Sequence, residues 1–241
     1  MIIGNGLVQR AKRLSDSQHL IDSSIKLLMH FDGLNNSQVF IDATGKTVTA
    51  YGNTIISTAQ SKFGGTSSYF DGNGDYLKLQ PNNDFNFGAG DFTIDWWEYR
   101  ISTRDQMTSI GNDGTLTGTG MLINYHDGVE GTTKIYVYWT DGTSSSYTFY
   151  QGAAKTGGWH HFAVIRKNNI LYGFVDGVKI LEAQNVTKSI SNFANFVIGR
   201  WSPNFSSSHL NGYIDELRVS KDIARWTENF TPQSAPYSLY L

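Results

Sequence analysis

The stretch from Gly158 to Gly177, GWHHFAVIRKNNILYGFVDG, constrains the fold more than any other part of the chain. Apolar and aromatic residues alternate at period two on both sides of a short polar break at Lys167, Asn168 and Asn169. That period belongs to a β-strand, not a helix. The first strand places Trp159, His161, Ala163 and Ile165 on one face and His160, Phe162, Val164 and Arg166 on the other. The return strand sets Ile170, Tyr172 and Phe174 opposite Leu171, Gly173 and Val175, and Asp176-Gly177 closes it with a tight turn. Both faces are apolar, so the hairpin belongs in mid-sheet in a two-layer protein. Trp159 is expected to be a large core aromatic.

The rest of the chain repeats this grammar. Strands are expected over Ile25–Phe31, Lys46–Tyr51, Ser67–Phe70, Tyr76–Leu79, Phe92–Arg100, Gln106–Ile110, Gly120–Tyr125, Lys134–Thr140, Ser146–Tyr150, Asn195–Arg200 and Leu210–Ser220. Asp-Gly turns at Asp113, Asp127 and Asp141 join the middle ones, which implies an antiparallel sandwich built from hairpins. Trp96 and Trp97 fall on opposite faces of their strand. A helical turn is expected only at Asp222–Trp226, with Asp222 as N-cap. No linker interrupts residues 25–237, and 241 residues suffice for one large β-domain without staples. We divide the chain into an N-terminal docking arm (1–24), the sandwich (25–237) and a C-terminal tail (238–241).

Four stretches, in order, resemble laminin-G-like jelly rolls, the concanavalin A-like lectin domains. They are Phe31-Asp32-Gly33; Ser68-Tyr69-Phe70-Asp71-Gly72 running to Asp91-Phe92-Thr93-Ile94; the hairpin itself; and Gly212-Tyr213-Ile214-Asp215-Glu216-Leu217-Arg218-Val219. The resemblance implies an all-β, two-sheet antiparallel jelly-roll sandwich whose first and last strands pair. Ile56–Gly65 and Arg218–Trp226 are similar to laminin-G-like domains of tailed-phage structural proteins. By that likeness the chain is expected on a virion, in many copies or as a homo-oligomer, joined through residues 1–24 to an assembly protein.

Composition narrows the function classes. A net charge of −2 gives no basic footprint for nucleic acid. No apolar run reaches the length of a membrane span, and Met1-Ile2-Ile3 leads straight into polar residues, so neither a transmembrane helix nor a signal peptide is expected. The chain has no cysteine, hence no disulfide and no thiolate metal site.

Glycosidases of this fold carry paired carboxylates facing one way, and retaining or inverting chemistry requires such a pair. The glutamates here are Glu98, Glu130, Glu182, Glu216 and Glu228, and none has Asp two residues later. Asp95 and Glu98, three apart, fall on opposite faces, so no enzyme is expected. His161 reads as a hydrogen-bonded core histidine. The resemblance implies a calcium ion between Asp32 and Asp215, because terminal strands bring these positions together and calcium takes oxygen ligands. Asp71, Asn73 and Asp75 have the spacing of a calcium-loop start but lack its closing glutamate, which favours a plain turn. Aromatic platforms beside amide and guanidinium groups are the chemistry that holds sugars. Tyr125, Tyr136, Tyr138, Trp139 and Tyr147, with Arg200, Trp201 and Asn204, are the glycan-binding candidates. Three functions remain open: a glycan- or partner-binding module, a purely structural decoration subunit, and a glycoside hydrolase.

Overall fold

The computed structural model describes residues 20–102, 107–112, 120–127, 132–140, 144–153, 155–183, 185–187, 189–190, 195–201 and 209–241, with 120–127, 132–140 and 144–153 described by their backbone. The strands are β1 (Ile25–Met29), β2 (Val48–Tyr51), β3 (Ile55–Ser57), β4 (Ser67–Asp71) and β5 (Tyr76–Leu79). There follow β6 (Phe92–Arg100), β7 (Met107–Asn112), β8 (Gly120–Asp127), β9 (Thr132–Thr140) and β10 (Ser144–Ala153). The last are β11 (Trp159–Lys167), β12 (Ile170–Val175), β13 (Val178–Ala183), β14 (Phe196–Ile198) and β15 (Asn211–Lys221).

They form two antiparallel sheets. One runs β13-β12-β11-β6-β15-β4-β3, with β1 added beside β15, and the other β10-β9-β8-β7-β14-β5-β2. This is the expected jelly-roll sandwich. The hairpin β11–β12 is central, since β11 pairs with β6 on its other side. Its turn places Asn168 and Asn169 at φ 49° and 63°, and Asp176-Gly177 adopts 52° and 76°. Left-handed pairs of this kind match the twist of two-residue hairpins, and Asn, Asp and Gly tolerate them best.

The strand period sorts residues between faces. On β6, Phe92, Ile94 and Trp96 join the core between the sheets. Thr93, Asp95 and Trp97, also buried, alternate with them and lie on the outer face. That outer face is covered by the chain's own C-terminal segment. Ala163, Ile165, Tyr172 and Phe174 pack beneath Trp226 and Phe230, whose rings stack 3.9 Å apart. Fully burying one such aromatic contributes roughly 1.5–3 kcal/mol.

Residues 222–226 form no helix. Asp222 sits at φ 63°, a left-handed conformation that cannot open one. The segment is held extended by hydrogen bonds from Thr93 Oγ1 to the Ile223 carbonyl and from the Arg225 amide to Thr93 Oγ1. Two short edge strands, β3 and β13, are additions to the sequence reading. Trp159 is only half-buried: it opens β11 beyond the reach of the C-terminal segment and meets Tyr99 edge-on at 5.9 Å.

β15 joins the two ends of the chain. Its first half pairs with β4 and its second half with β1, so first and last strands are neighbours. A bulge between Asp215 and Arg218 separates the halves, with Glu216 at φ 51°. The order extends past both expected domain limits. Ile21 bridges Tyr240, the Asp22 amide donates to the Leu239 carbonyl, and Arg225 pairs with Asp22 at 2.7 Å. Residues 20–24 and 238–241 are therefore tied to each other and, through Asp22 and Arg225, to the segment after β15.

Candidate ligand-binding surfaces

Residues directly opposite each other in a sheet share a face, so register assigns faces along the seven-stranded sheet. Leu77, Ile198 and Ile110 are buried between the sheets. Ile110 stands opposite Ile123, Ile123 opposite Val137, and Val137 opposite Tyr147. Tyr147 thus occupies an inward register position. Tyr125 and Trp139, two residues from Ile123 and Val137, share that parity. Tyr136 and Tyr138 take the alternate positions. They stand opposite Asn124 and Leu122 on β8, and opposite Thr148 and Ser146 on β10. The register therefore divides the candidate aromatics between the two faces. It leaves Tyr136 and Tyr138 at outer register positions, with Asn124, Thr148, Ser146 and the apolar Leu122 as their cross-strand neighbours.

The other end of the same outer face is described in side-chain detail. Tyr51 and Tyr76 are opposite in register, and their rings stack 4.4 Å apart at 4°. The Arg200 guanidinium lies 3.6 Å from the centre of the Tyr76 ring. Tyr76 is thus held between a ring and a cation, an arrangement worth roughly 0.5–2 kcal/mol. Tyr51 keeps 39% of its surface exposed. The turn bearing Arg200 and Trp201 lies close over β7. A Cβ at Gly111 would meet the Arg200 carbonyl at 2.2 Å, so a side chain there would push the turn away. Asn204 lies outside the described residues.

Asp95 and Glu98 do not face one another as a glycosidase pair would. Glu98 points between the sheets, where it pairs with Arg100 and accepts hydrogen bonds from Trp96 Nε1 at 2.9 Å and Ser109 Oγ at 2.5 Å. Asp95 lies on the opposite face of β6 and accepts two hydrogen bonds from Arg218, at 3.1 and 3.0 Å. Tyr237 donates to the same carboxylate, and His161 Nε2 lies 3.0 Å from the Tyr237 hydroxyl. Burial pushes the Asp95 carboxyl up, but Arg218 and then His161 outweigh it and hold the group at about 2. His161 is fully buried, as expected of a structural histidine.

Asp215 is also fully buried. Its Oδ2 accepts the amides of Lys62 at 2.8 Å and Phe63 at 3.1 Å, which pins the loop before β4 over Trp97. Its Oδ1 is buried without a well-formed hydrogen bond. Burial pushes this carboxyl up to about 7, against the pull of the two amides, and the Glu216 charge adds to the rise. Asp32 is exposed and abuts Gly64 of the same loop; a Cβ on Gly64 would meet Asp32 Oδ1 at 1.9 Å. Glu216 is committed elsewhere: it pairs with His30 at 2.8 Å and accepts the Tyr237 amide at 2.7 Å. Among the described residues no group of three acidic or histidine side chains is placed to hold a metal ion. The side chains of Asp32 and Asp215 do not by themselves make a calcium cage. Asp75 is occupied in the same way, accepting the Asn53 amide at 2.5 Å and the Asp71 amide at 2.8 Å, which is turn chemistry.

Two antiparallel sheets packed face to face in this order define a jelly-roll β-sandwich. The family profile described as concanavalin A-like lectin/glucanases superfamily, of laminin-G type, matches residues 71–228, and the chain belongs to that superfamily. No curated protein matches it in sequence. Among solved structures it is similar to the binding domain of Paraclostridial Mosquitocidal Protein 1, at 14% identity and TM-score 0.63 over 84% of this chain and 50% of that one. It is equally similar to the ligand-binding domain of botulinum neurotoxin serotype D in complex with N-acetylneuraminic acid, at 13% identity and TM-score 0.63 over 85% and 49%. Domain 4 of an extracellular arabinanase from Geobacillus stearothermophilus, in complex with arabinotriose, gives 19% identity and TM-score 0.56 over 83% and 94%. The chain spans about half the length of the two toxin structures and nearly all of the arabinanase domain. Among the described residues no helix is long and apolar enough to cross a membrane.

Proposed function

We propose that this chain is a non-catalytic glycan-binding module, and that the outer face of the seven-stranded sheet is its binding surface. The observation that carries the reading is the register, which sets Tyr136, Tyr138 and Asn124 on the same face as the Tyr51–Tyr76–Arg200 stack. Aromatic rings there offer stacking surface to the apolar faces of sugars, and the amide, hydroxyl and guanidinium groups suit their hydroxyls. The fold neighbours that hold N-acetylneuraminic acid and arabinotriose support the same class of ligand. Asp95 and Glu98 face opposite ways and each is consumed by an arginine, which supports the non-catalytic reading.

The setting we propose is a virion or comparable assembly, with residues 1–24 joining the module to its partner protein. The likeness of Ile56–Gly65 and Arg218–Trp226 to phage structural domains supports it. A calcium ion between Asp32 and Asp215 is part of the proposal, and the buried Asp215 Oδ1, which lacks a hydrogen-bond partner, supports it.

A glycan array with the full chain tests the binding reading. Wild type is expected to retain a defined subset of glycans, and Y136A/Y138A to lose them by about tenfold or more, which corresponds to 1.4 kcal/mol. Release of reducing sugar from any retained glycan would instead make the chain a hydrolase. Retention of none would leave a structural decoration subunit.

A further inference from the structure

The opposite sheet carries a second aromatic feature, independent of the surface just described. Tyr69 on β4 stands opposite Tyr213 on β15, Tyr213 opposite Tyr99 on β6, and Tyr99 opposite Trp159 on β11. The ring centres are 5.0, 5.9 and 5.9 Å apart. Four neighbouring strands thus present one transverse aromatic stripe, about 14 Å long at the usual strand spacing of about 4.8 Å. The rest of this outer face is covered by the chain itself. The loop at Lys62 and Phe63 lies over Trp97, and Trp226, Phe230 and Tyr237 lie over His161 and Asp95. Among the described residues this cover stops at the stripe, where Tyr69, Tyr99 and Trp159 remain only half-buried.

Cross-strand packing alone accounts for the rings, because aromatic pairs stabilise a sheet. It does not account for their polar atoms. Among the described residues none hydrogen-bonds the hydroxyls of Tyr69, Tyr99 or Tyr213, although each ring is fixed by its neighbours. The Trp159 indole N–H is buried without a partner. Buried donors of this kind ordinarily find an acceptor. The stripe itself contains no charged side chain, which disfavours an ionic ligand. Fixed rings and hydroxyls free to donate or accept together match a neutral saccharide, which presents C–H faces and hydroxyls in turn.

We propose that Tyr69, Tyr213, Tyr99 and Trp159 form a second binding site, for a neutral saccharide chain, on the sheet opposite the first. The module then engages two glycan segments at once, one on each side of the sandwich. Linked sites of that kind raise overall avidity without any new contact.

The test is titration of the full chain with maltohexaose, cellohexaose, xylohexaose and arabinohexaose, followed by tryptophan fluorescence. At least one of these is expected to bind with an affinity that Y136A/Y138A leaves unchanged. Y69A/Y99A should weaken it about tenfold or more. The triple variant Y69F/Y99F/Y213F, which keeps every ring and removes only hydroxyls, should weaken it about threefold or more, and its melt serves as the folding control. If no binding survives in Y136A/Y138A, or if the triple variant binds like wild type, the second site is overturned. If Y136A/Y138A also retains every glycan of the array like wild type, while Y69A/Y99A abolishes binding of the hexasaccharide, the first surface fails and the second stands.

Discussion

Replacing Asp95 by alanine is expected to cost about 3–5 kcal/mol, the usual penalty for leaving one partner of a buried ion pair alone. Arg218 would lose both hydrogen bonds from its guanidinium, which is buried against the Tyr237 ring at 3.7 Å. Tyr237 would lose its acceptor, and with it one of the contacts that fasten the C-terminal segment over His161. For a domain of this size each kcal/mol moves the midpoint by about 2–4 °C, so a fall of roughly 10 °C is expected in a thermal melt. The sign with pH is fixed by the lowered carboxyl. The folded protein holds Asp95 at about 2 while the unfolded chain has it near 3.8. Its contribution is therefore complete above 3.8 and disappears as pH falls from there through 2. The gap between wild type and Asp95→Ala should narrow over that window. An unchanged midpoint in the variant at pH 7 would remove the network from any structural role.

Asp215→Asn is expected to act in the opposite direction. The amide oxygen still accepts from Lys62 and Phe63, but the desolvated charge is gone. The carboxyl rises from 3.8 to about 7 on folding, so the folded state binds the extra proton between those values. Stability from this group is full below 3.8 and is lost as pH climbs to 7. At 1.36 kcal/mol per unit, the loss by pH 8 is about 2–4 kcal/mol. At pH 8 in chelator, Asp215→Asn should melt several degrees above wild type, and at pH 4 the two should coincide. Calcium enters the same experiment. An ion on Asp215 would stabilise wild type by about 2.7 kcal/mol at a hundred times its dissociation constant. Wild type would then overtake the variant on adding calcium. Identical wild-type melts in calcium and in chelator would dispose of the ion and leave Asp215 as the anchor of the loop.

Local chemistry was legible from the sequence. Asn168-Asn169 and Asp176-Gly177 announce their turns because few other pairs accept left-handed backbone at adjacent positions. Opposed faces for Trp96 and Trp97, and for Asp95 and Glu98, follow from the strand period alone. What depends on distant chain was not legible. Nothing near Asp215 indicates that it pins residues 62 and 63, and nothing near Tyr69 indicates that Tyr213 and Tyr99 complete a stripe with it. Residues 222–226 look helical locally, yet packing of Trp226 on Phe230 and the hydrogen bonds to Thr93 outweigh that weak propensity. Trp159 reads as core by its hairpin position. Its exposure is set by where the C-terminal segment stops, which is a tertiary fact. Among the candidate aromatics, period two separates Tyr136 and Tyr138 from Trp139. Only the register with buried Ile110 says which parity faces outward.

The outer face of the seven-stranded sheet is the proposed glycan surface. Amide chemical-shift mapping of the full chain with the best-retained glycan of the array tests it most directly. Shifts are expected to cluster at Tyr136, Tyr138 and Asn124 and to continue to Tyr76 and Arg200, with the buried hairpin residues Phe162, Val164 and Leu171 silent. Saturating shifts confined to positions on the eight-stranded sheet, with none on β8, β9, β5 or the turn after β14, would contradict it.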